Sequence, residues 1–214
     1  MKDSRTSWIV FDVGGVLLDW ISSSDHFAEE LKITHDQLFN ALYAPGNSDN
    51  IGTRMNLGQL SGQQGWDEVL SQFQIHLPFK SIVSDWVAEP YWPKDTLSLL
   101  RELKHKGYKM AVFSNSWFGL TDPATKDILP DEFNLFDIVI DSAVEKMQKP
   151  NPDFYTRLEE RLDAHGANIF FIDDDQKNII TAKNFGWDTF LYSMGSNASE
   201  VKPNNDKLRK LLGL

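Results

Sequence analysis

The chain of 214 residues contains no cysteine, which excludes disulfides, thiolate metal sites and thiol catalysis, and is compatible with a reducing compartment. It is also short of positive charge, with 21 lysines and arginines against 31 aspartates and glutamates and a formal net charge of −10. That balance argues against nucleic acid or a membrane surface as a partner, since both ask for a basic face. No apolar run approaches the roughly 20 residues needed to span a bilayer. Met1 to Ser7 is polar and lacks a basic segment followed by an apolar one, so the expected location is cytoplasmic. Internal repeats and low-complexity segments are missing too. What remains is an ordinary globular composition, 41% hydrophobic and 24% charged, sufficient for one domain or one domain carrying a smaller insertion.

The stretch from Trp8 to Trp20 organises the rest. Four large apolar residues lead into Asp12, Gly14 and Gly15 follow, and apolar character resumes at Val16. So short an unbroken apolar run suits a strand buried on both faces of a parallel sheet, with Asp12 at its carboxyl end. Ligands bind at that edge in open α/β sheets, although Asp12 before two glycines is equally readable as a polar turn.

After Trp20 the pattern is helical for a long way. A helix starting near Ser22 to Ser24 carries Phe27, Leu31 and Ile33. Thr34 with Gln37 and Ser61 with Gln64 have capping-box spacing, and the apolar faces Leu38-Ala41-Leu42 and Trp66-Val69-Leu70-Phe73 follow them. Ala44 to Ile51, with Pro45, Gly46 and Asn47, reads as a loop, and Ser81 to Ala88 as a further helix. Residues 21–91 therefore read as a small helical insertion, and residues 1–20 and 92–214 as the main domain. From Lys94, helices alternate with strands at Lys109 to Phe113, Phe136 to Ile140, Ile169 to Ile172 and Thr189 to Tyr192. Alternation of this kind implies right-handed crossovers and a doubly wound parallel α/β sheet. Ser193 to Asn205 reads as a loose polar tail, closed by a short helix at Lys207 to Leu212.

Strand ends carry the chemistry. Asp12, Ser114 and the triplet Asp173-Asp174-Asp175 all fall at carboxyl ends, which parallel strands bring to one edge. Carboxylates gathered there repel one another, and a hard cation such as Mg²⁺ relieves the conflict. Lys149, before a helix start at Pro152, can reach the same edge. Each residue also has a plain reading, the triplet as a solvated acidic turn and the lysine as a surface residue.

These positions resemble the four motifs of the haloacid dehalogenase superfamily, in order and across nearly the whole core. Asp12 matches the nucleophile, Ser114 the hydroxyl residue of the second motif, Lys149 in Lys-Pro-Asn-Pro the third, and Asp173 with Asp174 the acidic pair of the fourth, followed by Asn178. An insertion between the first and second motifs is the family's helical cap. Within the superfamily the chain looks most similar to glucose-1-phosphatase-like proteins and to the phosphatase domain of soluble epoxide hydrolases.

The resemblance implies a Mg²⁺-dependent phosphohydrolase working through an aspartyl-phosphate on Asp12. Asp12, Asp174 and the carbonyl of Gly14 would bind metal. Ser114, Asn115 and Lys149 would bind phosphate, and Asp173 and Asn178 would orient the others. Asp175 has no matching role. The expected substrate is a small phosphorylated metabolite such as a sugar phosphate, with Trp20, His26 and Trp117 as candidate contacts. Gly14 departs from the pattern, because the family's phosphatases usually carry a second aspartate there as acid and base. Its loss should hurt least for acidic leaving groups, and Asp19, Asp25 or His26 are candidate replacements. Two rivals follow from the same residue: a silent protein that binds a phosphorylated ligand or a protein, and a metal-independent dehalogenase.

Overall fold

A computed structural model describes residues 6–214 apart from 45, 122, 196 and 197, so most of the polar lead-in and Pro45 of the expected loop lie outside the described residues. Five parallel strands form one sheet in the order β3-β2-β1-β4-β5, comprising β1 (Trp8–Phe11), β2 (Lys109–Ser114), β3 (Ile138–Asp141), β4 (Ile169–Asp173) and β5 (Asp188–Leu191). The doubly wound α/β expectation holds. Successive side chains of β1 enter opposite faces: Ile9 and Phe11 join one apolar cluster, Trp8 and Val10 the other.

Between β1 and β2 lie α1 (Trp20–Glu30), α2 (His35–Leu42), α3 (Ile51–Asn56), α4 (Gly62–Ser71), α5 (Phe79–Trp86) and α6 (Lys94–His105). Both expected capping boxes form, Thr34 with Gln37 on α2 and Ser61 with Gln64 on α4, each worth about 1 kcal/mol. Asn50 caps α3, a helix that the turn-rich composition before it concealed. Phe27, Trp66 and Trp86 from these helices share one continuous apolar cluster with Phe11, Leu99 and Met110. The remaining helices are α7 (Pro123–Lys126), α8 (Ser142–Glu145), α9 (Pro152–Leu162), α10 (Gln176–Asn184) and α11 (Val201–Leu212).

Several boundaries differ from expectation, and two of them have a visible cause. β3 begins at Ile138, because Asp131–Leu135 forms a 3-10 turn and Phe136 packs edge-on against Phe11. The closing helix starts six residues early, at Val201 instead of Lys207. Polar residues drive that extension. Asn205 is fully buried and bonds Tyr192, Asp95 and Thr96, while Arg209 pairs with Asp95 and Glu102 of α6.

Register places the site. Phe11 is level with Val112 on one side and Ile172 on the other, so Asp12, Ser114 and Asp173 leave the sheet within two residues of one another. No helix among the described residues is long and apolar enough to cross a membrane.

Candidate active site

Lys149 is the centre of a buried charge cluster. Its Nζ lies 2.8 Å from Asp12 Oδ1 and 2.7 Å from Asp173 Oδ2, and 5.5 Å from the ring centres of both Phe113 and Phe171. Asn115 fixes the lysine's backbone: the Lys149 N–H donates to Asn115 Oδ1 at 2.9 Å, and Asn115 Nδ2 donates to the Lys149 carbonyl at 3.1 Å. The Asn115 side chain therefore positions Lys149, a task separate from the one expected of its backbone amide. Asp173 has both oxygens engaged, accepting from Lys149, from Asn178 Nδ2 and from the Asp175 N–H. Asn178 is in turn held by Tyr155, whose hydroxyl donates to its carbonyl at 3.1 Å. Ser114 is buried at the same edge, and its hydroxyl donates to the Asn115 carbonyl at 3.3 Å.

Electrostatics divide the three carboxylates. Burial pushes Asp12 up to about 6, with Lys149 opposing the shift and Asp173 adding to it. Asp174, exposed on its outer side, is pushed up to about 7 by the crowding around its carboxyl group and by the charges of Asp12 and Asp173. Burial pulls the Lys149 ammonium down, but the two carboxylates more than reverse it and leave it above its ordinary value. One ammonium thus faces three carboxylates. An oxygen from each of Asp12, Asp173 and Asp174 lies within 4.8 Å of the others, a hard-oxygen set that suits Mg²⁺. Because Asp173 is already engaged, Asp12 and Asp174 are the carboxylates able to hold an ion, and Gly14 keeps a backbone carbonyl on the intervening turn.

The glycines are read differently once placed. Gly15 has φ +74° and a Cβ on it would lie 2.0 Å from Asp174 Oδ2, so only glycine lets that carboxylate approach. Gly14 has no such backbone need. A Cβ there would lie 3.3 Å from Trp20 Cδ1, because the indole rests directly on the glycine.

A cavity of about 380 Å³ opens over the cluster. Asp12, Gly14, Ser114, Asn115, Lys149 and Asp174 line one end, while Trp20, Phe39, Tyr43, Trp86, Trp117 and Phe118 are among the residues forming its sides. Trp20 and Trp117 are where they were expected. His26 is not: it is exposed on α1, beside Tyr91, because the buried face of that helix carries Ser23, Ser24, Phe27 and Ala28. Phe39 and Tyr43, which helical periodicity alone does not single out, line the cavity instead. Asp19 and Asp25 border an adjoining cleft that shares Trp20 and Asp174 with the cavity, the former capping α1 through Ser22 and the latter pairing with His35. Asp175 caps α10 by accepting from the Lys177 N–H.

Asp141 escaped the sequence reading, although it follows the apolar end of β3 just as Asp12 follows β1. It is buried, accepts from the N–H groups of Ala143 and Leu120, and so ties down the loop that carries Trp117 and Phe118. Burial pushes its carboxyl up, against the pull of those hydrogen bonds. Ser116 helps from within the same loop, accepting from the N–H groups of Phe118 and Gly119.

A family model for haloacid dehalogenase-like hydrolases matches residues 6–186. A sesquiterpene phosphatase of Aspergillus oryzae is 32% identical over 116 residues, covering 54% of this chain and 55% of that protein. A phosphoglycolate phosphatase of Aquifex aeolicus is 28% identical over 193 residues, covering 87% of this chain and 84% of that protein. The chain thus spans about half the length of the former relative. A haloacid dehalogenase family enzyme of Bacteroides thetaiotaomicron, solved with magnesium and inorganic phosphate, has a TM-score of 0.62 at 20% identity, over 92% of this chain and 98% of that one. Solved structures of the same fold include a dehalogenase, so the fold alone does not choose the reaction.

Proposed function

The chain belongs to the haloacid dehalogenase-like hydrolases, and we propose that within them it is a Mg²⁺-dependent phosphatase of a small phosphorylated metabolite, working through Asp12. The observation that carries this reading is the Asp12-Lys149-Asp173 cluster at the end of the cavity, with Asp174 beside it. Asp12 is paired through one oxygen with the Lys149 ammonium, which opposes the effect of burial and favours the ionised carboxylate. One Asp12 oxygen bonds to phosphorus as the bond to the ester oxygen breaks, and that oxygen departs with the electron pair. Water then cleaves the aspartyl-phosphate, freeing Asp12 and inorganic phosphate. Lys149 offsets the negative charge of both nucleophile and phosphate, while the Ser114 hydroxyl and the Asn115 amide bind phosphate oxygens. Asp173 and Asn178 hold Lys149 and one another in place.

Bound by Asp12, Asp174 and the Gly14 carbonyl, Mg²⁺ would supply the positive charge that lets an anionic carboxylate approach a phosphate dianion. Residues 21–91 act as a cap over the cavity. Without a carboxylate at position 14 the enzyme forgoes acid-base assistance worth roughly 10²–10⁴-fold, and the phosphoryl group stays longer on Asp12.

A catalytically silent binder is the second reading, favoured by the indole that occupies the space beside Gly14. A dehalogenase has no use for Asp174 as a metal ligand. Phosphate release from a panel of esters, with Mg²⁺ and with a chelator, separates the three. The phosphatase reading expects release that needs Mg²⁺ and vanishes in Asp12→Asn, and equal release by that variant would overturn it.

A further inference from the structure

Resting on the phosphatase reading, we propose that the group esterified to phosphate is apolar, an aryl or hydrocarbon alcohol, and that the sides of the cavity select against polyhydroxylated sugars. A phosphate seated against Asp12 and Lys149 leaves the rest of the molecule among rings. Trp20 and Phe39 have centroids 5.4 Å apart, Phe39 and Trp117 6.3 Å, Tyr43 and Trp117 5.7 Å, and Trp86 and Trp117 5.4 Å, so the rings form one connected wall.

The polar atoms of that wall are mostly bonded to protein or shut away from its surface: Asn56 Oδ1 and Trp86 Nε1 have no partner among the described residues but are buried behind it. Trp117 Nε1 donates to the Tyr43 hydroxyl, which also bonds the buried side chain of Asn56. Trp92 Nε1 donates to the Val87 carbonyl at 2.9 Å, and the Ser116 hydroxyl is taken by its own loop. A sugar hydroxyl pressed against these rings would lose its hydrogen bonds to water and find few exposed polar atoms in exchange, at a cost of roughly tenfold in affinity for each bond left unmade. The expectation of a sugar phosphate therefore gives way.

Leaving-group chemistry points the same way. The titratable residues lining the cavity are Asp12, Tyr43, Lys149, Asp174 and Asp175, among the described residues. Asp12, Lys149 and Asp174 form the charged end, Asp175 caps α10, and the Tyr43 hydroxyl is committed to Trp117. On the cavity side of Gly14 stands the Trp20 indole, which has no acidic proton to give. An aryl ester, whose oxygen departs as a stable phenolate, needs that proton least, so aryl esters should lead and alkyl esters follow.

The test compares 1-naphthyl phosphate, octyl phosphate and glucose 6-phosphate on the whole chain with Mg²⁺, reading kcat/KM, and their binding to Asp12→Asn by quenching of tryptophan fluorescence. Expected are a kcat/KM at least 100-fold higher for naphthyl than for glucose phosphate, octyl between them, and both apolar esters bound at least tenfold more tightly than the sugar ester. Phe39→Asn should raise KM for the naphthyl ester about tenfold with kcat little changed. If thermal melting shows that variant unfolded, the binding order on Asp12→Asn decides. Glucose phosphate turned over as well as the naphthyl ester, by an activity that Asp12→Asn loses, overturns the apolar selection alone. Hydrolysis of none of the three esters overturns the phosphatase reading and this inference with it.

Discussion

At the charged end of the cavity Lys149 lies within 2.8 Å of two carboxylates, and each of those has a further hydrogen-bond partner, whereas the sides are held by ring contacts 5.4 to 6.3 Å between centroids. The difference is one of tolerance. A buried polar cluster works only when complete, since removing one member strands the others without solvent. Packed rings share their contact energy over many atoms, so a lost ring is felt gradually. The charged end should therefore respond to substitution all or none and the sides by degrees.

The sharpest test of that contrast is Asp12→Asn, which keeps the shape and removes the proposed nucleophile. We expect phosphate release to fall by on the order of 10⁴-fold or more in steady-state assays. Next comes Lys149→Met, which leaves two buried carboxylates facing each other without their cation. It should cost about 3–5 kcal/mol of stability in chemical denaturation, well beyond any single change of a wall residue to another ring.

The two ends meet at Gly14 and Trp20, and a double substitution probes that seam. Gly14→Asp alone presses its new side chain on the indole and should cost about 1–3 kcal/mol. Trp20→Ala added to it should recover stability and raise turnover of alkyl esters. A fully additive loss would show that the two positions do not compete for one space.

The smallest effect expected is remote from both ends. Asp95 and Glu102 are held below the usual carboxylate range: at Asp95 the bonds from Arg209 and Asn205 outweigh burial, and at Glu102 the bond from Arg209 leads. A depressed folded pKa adds stability above the unfolded value, and that stability is lost as pH falls through the folded one. Arg209→Met should flatten the loss of thermal stability between about pH 5 and pH 3 and leave kcat at neutral pH unchanged.

The same contrast explains what could be read from the chain. Asp12, Ser114 and Asp173 were legible because each ends an apolar run, and parallel strands bring such ends together whatever lies between. Lys149 needed its motif context, since nothing in the local pattern says where a loop lysine will point. Asp141 carries the same strand-end signal, but a strand read over Phe136 to Ile140 stops just before it. The walls were harder. Periodicity tells which face of a helix is buried but not whether that face meets a core or a cavity, so Trp66 in the core and Phe39 on the cavity look alike, and nothing in the pattern shows that Tyr43 lines the cavity while His26 does not. The start of α11 is hidden for a related reason: Asn205 is polar yet buried because Tyr192 and, from far along the chain, Asp95 and Thr96 of α6 supply partners, and Asn204 is buried with its side chain donating to the Ser193 and Glu200 carbonyls.

The most direct test of the account is to quench a single turnover of a phosphate-labelled aryl ester in acid and locate the label. With Gly14 offering no base to speed hydrolysis, the account predicts label on Asp12 before steady state, dependent on Mg²⁺ and missing from Asp12→Asn. Mg²⁺-dependent phosphate release during which Asp12 never carries the label would contradict it.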